Sequence, residues 1–294
     1  MGKSYLLSFR VKSFLAAGCF FFLCLSPSCK KDSLIPAYIH IDHIDLSTVY
    51  ENDGTDSHKI TDAWVYIDGD LQGIYELPAT FPVLATGEHS IMIRPGIKIN
   101  GIAMSRAYYP FFKPFESTIQ LTAEKVDTIN PMVNYYEGKM RWKEDFETAG
   151  ISLVPFGGSD TNFIQTQNVS YVFEGLSSGI AHLDATYDHV LSVSNDIFEI
   201  PQDQSPVFLE LNYKTNVPLA IGLFAVLSTG LNERLETMII NPNTKWNKIY
   251  VNLTYSVNVS ATATGFKVFF EAYKPDSISS ADILLDNIKL LYTE

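Results

Sequence analysis

Apolar residues in this chain recur at every second position, and no stretch sustains the 3.6-residue period of a long helix. A period of two places successive side chains on opposite faces of a strand, so the pattern commits the chain to β-structure. In Tyr38-Ile39-His40-Ile41-Asp42, Ile39 and Ile41 face one way while His40 and Asp42 face the other. Residues 63–67 read as a strand, Asp68-Gly69-Asp70 as a tight turn, and residues 71–75 as the returning partner. Residues 90–94 form another strand, closed by Pro95-Gly96, and residues 115–121 and 125–136 complete this half. Beyond Glu137-Gly138-Lys139, short strand candidates follow at 171–173, 181–184, 207–214, 219–227, 246–253 and 266–273. Many short strands at such spacing predict a sandwich or a jelly roll.

The first residues carry a different pattern. Lys3, Arg10 and Lys12 precede a compact apolar run over 14–25, shorter than the roughly 20 residues a helix needs to span a bilayer. Leu25-Ser26-Pro27-Ser28-Cys29 follows, then Lys30-Lys31-Asp32. This order resembles a bacterial lipoprotein signal with its lipobox. The resemblance implies a signal peptide over 1–28, acylation of Cys29, a tether over 29–36, and anchoring in the outer membrane of a Gram-negative envelope, with Asp32 as an acidic residue compatible with surface display. Cys19, Cys24 and Cys29 all lie at or before that cleavage point, so the mature chain is left without an intrachain disulfide or a Cys-ligated metal. The net charge is −12, and the signal removes three basic residues and no carboxylate. A surface this acidic repels phosphate backbones, which excludes nucleic acid as a partner while leaving a divalent cation or a sugar compatible.

The order Val65-Tyr66-Ile67-Asp68-Gly69, Leu77-Pro78-Ala79, then Leu84-Ala85-Thr86-Gly87-Glu88-His89-Ser90-Ile91-Met92-Ile93 resembles small β-sandwich surface modules of the PEGA and transthyretin-like kinds. It implies a structural or adhesive module over 37–137. In the second half, Glu144-Asp145-Phe146-Glu147 near the start and Ile283-Leu284-Leu285-Asp286-Asn287-Ile288-Lys289-Leu290 at the end resemble galactose-binding-like jelly rolls, the fold of many carbohydrate-binding modules. That resemblance implies pairing of the first and last strands over 138–294, and a structural Ca²⁺ between Glu147 and Asp286, with Glu144 or Asp145 as lesser candidates. The fold class is therefore all-β, a small N-terminal β-sandwich followed by a C-terminal β-jelly-roll sandwich.

Alternation also selects a candidate ligand face. If Ile249, Val251 and Leu253 point inward, Trp246, Lys248, Tyr250 and Asn252 share the other face. If Phe266, Val268, Phe270 and Ala272 point inward, Lys267, Phe269, Glu271 and Tyr273 point outward. Rings interspersed with carboxylate, amide and ammonium groups suit a sugar, whose C–H face stacks on a ring while its hydroxyls take polar partners. An ordinary solvated sheet face is the alternative reading of the same residues. His182 and His189 read as ordinary strand or turn residues, and His40 and His43 fall on opposite faces. Tyr108-Tyr109-Pro110-Phe111-Phe112-Lys113-Pro114-Phe115 reads as a loop, either a docking surface for a partner or a cover over the core or the second domain.

The sequence has no phosphate-cradling glycine loop and no His-Glu-x-x-His zinc helix. The expected function is thus a non-catalytic envelope lipoprotein that binds carbohydrate or another surface polymer. The alternatives are a structural subunit of an outer-membrane protein complex and, last, an unusual glycoside hydrolase.

Overall fold

The computed structural model describes residues 35–293; the expected signal, Cys29 and most of the expected tether lie outside them. Strands dominate, joined by short helices at Tyr50–Asp53 and Thr254–Val259. No helix among the described residues is long and apolar enough to cross a membrane.

The first sandwich stacks two sheets. One runs β5 (Ala79–Val83), β1 (Ala37–Ile41), β9 (Val126–Ile129). The other runs β4 (Asp70–Glu76), β3 (Asp62–Ile67), β6 (Gly87–Lys98), β7 (Arg106–Tyr108), with β8 (Phe115–Leu121) also on β6. A small pair, β2 (Asp45–Leu46) and β10 (Met132–Val133), closes one end. Ile39 and Ile41 meet Val65, Ile67, Ile91 and Ile93 in the core, as the alternation requires. One boundary differs from expectation: β6 continues through Pro95 and Gly96 to Lys98. Its edge partner changes there, from β8 as far as Ile93↔Phe115 to β7 from Gly96↔Tyr108. Pro95, which has no N–H, sits in that gap, and its carbonyl accepts from the Tyr109 amide at 2.8 Å. Gly96 is needed beside it, because a Cβ would lie 2.7 Å from that of Asp62.

The second half is a jelly-roll sandwich. Its six-stranded sheet runs β13 (Ile164–Thr166), β14 (Ser178–Leu183), β21 (Ala281–Tyr292), β16 (Val207–Thr215), β19 (Asn243–Asn252), with β11 (Met140–Glu144) also on β21. Its five-stranded sheet runs β12 (Leu153–Pro155), β15 (His189–Ser194), β20 (Ala263–Tyr273), β17 (Leu219–Leu227), β18 (Asn232–Ile240). The first and last strands of this half pair, with Trp142 opposite Leu290 and Glu144 opposite Ile288. Leu209, Leu211, Ile221, Leu223, Val268, Phe270, Leu285 and Ile288 fill the space between the sheets. Leu285 and Ile288 both point inward although three residues apart. Asn287 takes a left-handed φ of +46°, and the register with β16 shifts between Glu210 and Asn212. This bulge turns Asp286 and Asn287 to the other face. Residues 171–173, expected as a strand, form a turn held by the Asn168 carbonyl instead.

The two sandwiches share an interface on the outer face of the six-stranded sheet. Phe208, Tyr250 and Leu291 leave that face to join the core of the first sandwich. Tyr109, Phe111 and Phe112 from the aromatic loop pack on them, with Tyr109 edge-on to Phe208 at 5.3 Å and tilted against Tyr250 at 5.0 Å. Of the two expected fates of this loop, covering the second domain is the one observed. At the centre lies Glu210, with no exposure at all. Its carboxylate accepts from the hydroxyls of Tyr109 (2.7 Å) and Tyr135 (2.9 and 3.0 Å), and Lys248 stands 3.2 Å away as its ion pair. Burial, and then the Glu210 charge, raises both phenol pKa values well above the ordinary range and keeps the hydroxyls as donors. Replacing Glu210 by Ala strands the Lys248 charge and should cost about 3–5 kcal/mol in urea-induced unfolding.

Lys289 lies near the same cluster and donates to the Thr55 carbonyl at 2.6 Å. Burial lowers its pKa from 10.5 to about 8, and the neighbouring Lys248 adds to the shift. Below pH 8 the folded and unfolded states both carry this proton; between pH 8 and 10.5 the unfolded state holds it more. Stability should therefore rise with pH in that window by up to about 1.4 kcal/mol per unit, relative to a Lys289→Met variant measured alongside.

Candidate functional site

With the β16–β19 region of one jelly-roll sheet covered, the outer face of the other remains open, and β20 runs through its centre. Its alternation puts Phe269, Glu271 and Tyr273 on that face, as expected. Across the ladder, Tyr273 is opposite His189 and Glu271 is opposite Leu191 on β15. On the other flank Phe269 is opposite Gly222 on β17, and Arg234 of β18 lies opposite Phe224.

The His189 imidazole and the Tyr273 ring stack in parallel, 4.1 Å between centroids and 5° between planes. Tyr273 is 57% exposed, so one face of this pair is open to a ligand. Below it, Glu271 accepts from the Tyr273 hydroxyl at 3.0 Å and meets His189 Nε2 at 2.9 Å. Arg234 Nη1 pairs with the other Glu271 oxygen at 2.5 Å, and Nη2 with Glu236 at 2.9 Å. Burial pushes the Glu271 pKa up, but the bonds from His189, Arg234 and Tyr273 outweigh it and hold the carboxyl below its usual value. Tyr273 moves the other way, raised first by burial and then by its bond to Glu271.

An apolar floor continues the platform. The Arg234 guanidinium lies over Phe269 at 4.5 Å, and Phe224 joins Phe269 to Phe156 at 5.1 and 4.9 Å. Gly222 makes room for the Phe269 ring, since a Cβ would come within 2.7 Å of it and 2.2 Å of the Leu235 carbonyl oxygen. The face thus offers an exposed ring, a guanidinium and a carboxylate within one patch. Such a patch offers hydrogen-bond donors and acceptors to hydroxyl groups and a ring to an apolar C–H face.

Other expected ligand residues stand elsewhere. Lys267 turns aside to donate to the carbonyls of Ser194 and Asn195, at 3.0 and 2.9 Å. Trp246, Lys248, Tyr250 and Asn252 do share one side of β19, but the first sandwich covers Lys248 and Tyr250. Tyr250 and Lys248 are 2% and 6% exposed and serve the interface rather than a ligand. Trp246 packs against Phe173 at 5.4 Å, and the Asn252 amide donates to Asn100 Oδ1 at 2.8 Å. Conversely, His189 and Arg234 belong to the platform although the sequence marks neither. His189 is visible only once its register with Tyr273 is known, and Arg234 lies on a strand with no clean alternation.

The expected metal residues do come together. Glu147 and Asp286 line a cavity of about 510 Å³ with Asp145, Glu174, Asn287, Tyr50 and Thr55. Glu147 Oε1 accepts from the amides of Leu176 and Ser177 at 2.9 and 3.1 Å, and Gly175 passes so close that a Cβ would meet that oxygen at 2.2 Å. Asp286 accepts from Ser178 and from the Asn287 amide, yet burial still pushes its pKa up to about 7. The Thr55 hydroxyl is buried there without a hydrogen-bond partner. The donors are hard oxygens, which suit Ca²⁺. Among the described residues, however, no three His, Cys, Asp or Glu side chains are grouped so as to hold a metal ion. Glu144 takes a structural role, accepting from the amides of Phe146 (2.8 Å) and Ser152 (2.5 Å).

No protein-family model matches the sequence, and no curated protein matches it. Among solved structures the chain is similar to a xylan-binding domain of carbohydrate-binding module family 22, with 13% identity and a TM-score of 0.36, over 53% of this chain and 97% of that one. It is also similar to the C-terminal family 22 module of Clostridium thermocellum Xyn10B, with 11% identity and a TM-score of 0.36, over 52% and 93%. A family 29 module complexed with mannohexaose matches with 10% identity and a TM-score of 0.32, over 50% and 89%.

Proposed function

We propose that this protein is a non-catalytic envelope lipoprotein that binds carbohydrate on the outer face of its five-stranded sheet. The observation that carries the reading is the exposed Tyr273 ring, stacked on His189 and held over the Glu271–Arg234 pair. A ring fixed before the ligand arrives loses little freedom on binding, which is how such platforms gain affinity. The first sandwich, a PEGA or transthyretin-like module in this reading, acts as a spacer between an acyl anchor at Cys29 and the jelly roll. The reading as a docking subunit loses its main support, because Tyr109, Phe111 and Phe112 are spent on the internal interface.

A glycan array with the purified chain tests this. Binding to a neutral oligosaccharide is expected. Tyr273→Ala should weaken it by about tenfold or more, near 1.4 kcal/mol, while Trp246→Ala should leave it unchanged. A blank array from folded protein, or hydrolysis of the bound glycan, would contradict the proposal.

A structural Ca²⁺ held by Glu147 and Asp286 belongs to the same reading, with carbonyls or water completing the oxygen shell. Saturating calcium should then raise the unfolding midpoint of the chain in a way that EDTA reverses, by about 2.7 kcal/mol of stability at a hundredfold excess over Kd. Glu147→Ala should abolish the shift. An unchanged midpoint would remove calcium from the account without touching the sugar face.

A further inference from the structure

A further cleft lies on neither of these surfaces. It opens along the seam between the sandwiches, encloses about 620 Å³, and lies within the usual range for ligand pockets. One wall is the loop after β6, around Asn100 to Ile102; the other is the end of β18 and its turn into β19, from Thr237 to Asn243. The first wall is pinned to β19. The Asn100 amide donates to the Tyr250 carbonyl at 2.9 Å, the Asn252 amide donates to Asn100 Oδ1 at 2.8 Å, and the Lys59 amide donates to the Tyr250 hydroxyl at 2.9 Å.

The lining is unlike the rest of this acidic protein. It holds Lys59, Lys98 and Lys248 and no aspartate or glutamate, although the chain carries a net charge of −12. Lys248 faces Glu210 in the interface, and Lys98 reaches Glu76 at 3.3 Å. Lys59 has only an amide for its charge, the Asn247 side-chain oxygen at 2.5 Å. Among the described residues no carboxylate lies within ion-pair distance of the Lys59 ammonium, whose pKa burial, and then Lys98, lower. Around it stand the amides of Asn241, Asn243 and Asn247, with the half-exposed Ile102 and Ile239 at the rim. Amides pair with hydroxyls in both senses, apolar rim groups take C–H faces, and ammonium groups take a carboxylate.

We propose that this cleft is a second ligand site, for a carboxylate-bearing saccharide of the uronate type. It is separate from the sheet face and requires both sandwiches, since Lys59 and Lys98 come from the first and the asparagines at 241–247 from the second. Calorimetric titration of the purified chain with trigalacturonate, and with uncharged galactotriose of the same linkage, tests it. Trigalacturonate should bind and galactotriose should bind at least about tenfold more weakly, the scale of one lost charge-assisted bond. Lys59→Gln and Lys98→Gln should each weaken trigalacturonate binding by a similar factor with the unfolding midpoint unchanged, and Lys59→Arg should retain it. Tyr273→Ala should leave it intact, which separates this site from the sheet face. Absent binding, equal affinity for the two sugars, or indifference to Lys59→Gln would overturn the proposal.

Discussion

A single carboxylate, that of Glu210, sits where two sandwiches meet and has no access to water. Taking it and Lys248 out of solvent costs about as much as their attraction returns, so the pair adds little net stability. Its effect is on specificity. Any other docking of the two halves would leave a charge or a tyrosine hydroxyl buried without a partner, a penalty of several kcal/mol on the order of the whole fold's margin. Tyr109 and Tyr135 come from the first sandwich, Glu210 and Lys248 from the second, and the rings of Phe111, Phe112, Phe208 and Tyr250 exclude water around them. From Pro36 onward the chain packs as one unit, as this clasp requires.

The clasp decides which surface is left for a ligand. It buries the outward residues of β16 and β19, including Lys248 and Tyr250, and leaves the outer face of the five-stranded sheet open. It also creates the seam in which Lys59 and Lys98 face the asparagines of the β18–β19 turn. Both candidate sites are consequences of the docking. One is the face it spares and the other is the groove it makes.

Much of this was legible as alternation. Strand identity, the inward sets of β19 and β20, and the outward set of Phe269, Glu271 and Tyr273 follow from a period of two. The pairing of the first and last strands of the jelly roll, implied by its terminal motifs, appears as β11 on β21. What alternation cannot say is what covers an outward face. Tyr250 and Tyr273 look alike in the sequence, a tyrosine opposite an apolar row, yet one is 2% and the other 57% exposed. The difference is set by a loop more than a hundred residues earlier. Likewise His189 becomes a stacking partner only through register, and Arg234 lies on an edge strand whose inward residues, Leu235, Met238 and Ile240, do not alternate regularly. Pro95 was a misleading stop signal because strand partners change at that residue, where a missing N–H costs nothing.

The most direct test is to map backbone amide shifts of the isotope-labelled chain as a neutral oligosaccharide is added. Shifts should concentrate on His189, Arg234, Glu271 and Tyr273 and spare Glu210, Lys248 and Tyr250. Shifts centred on the six-stranded sheet, or loss of the interface signals on binding, would contradict it, because ligand would then compete with the first sandwich for the same face.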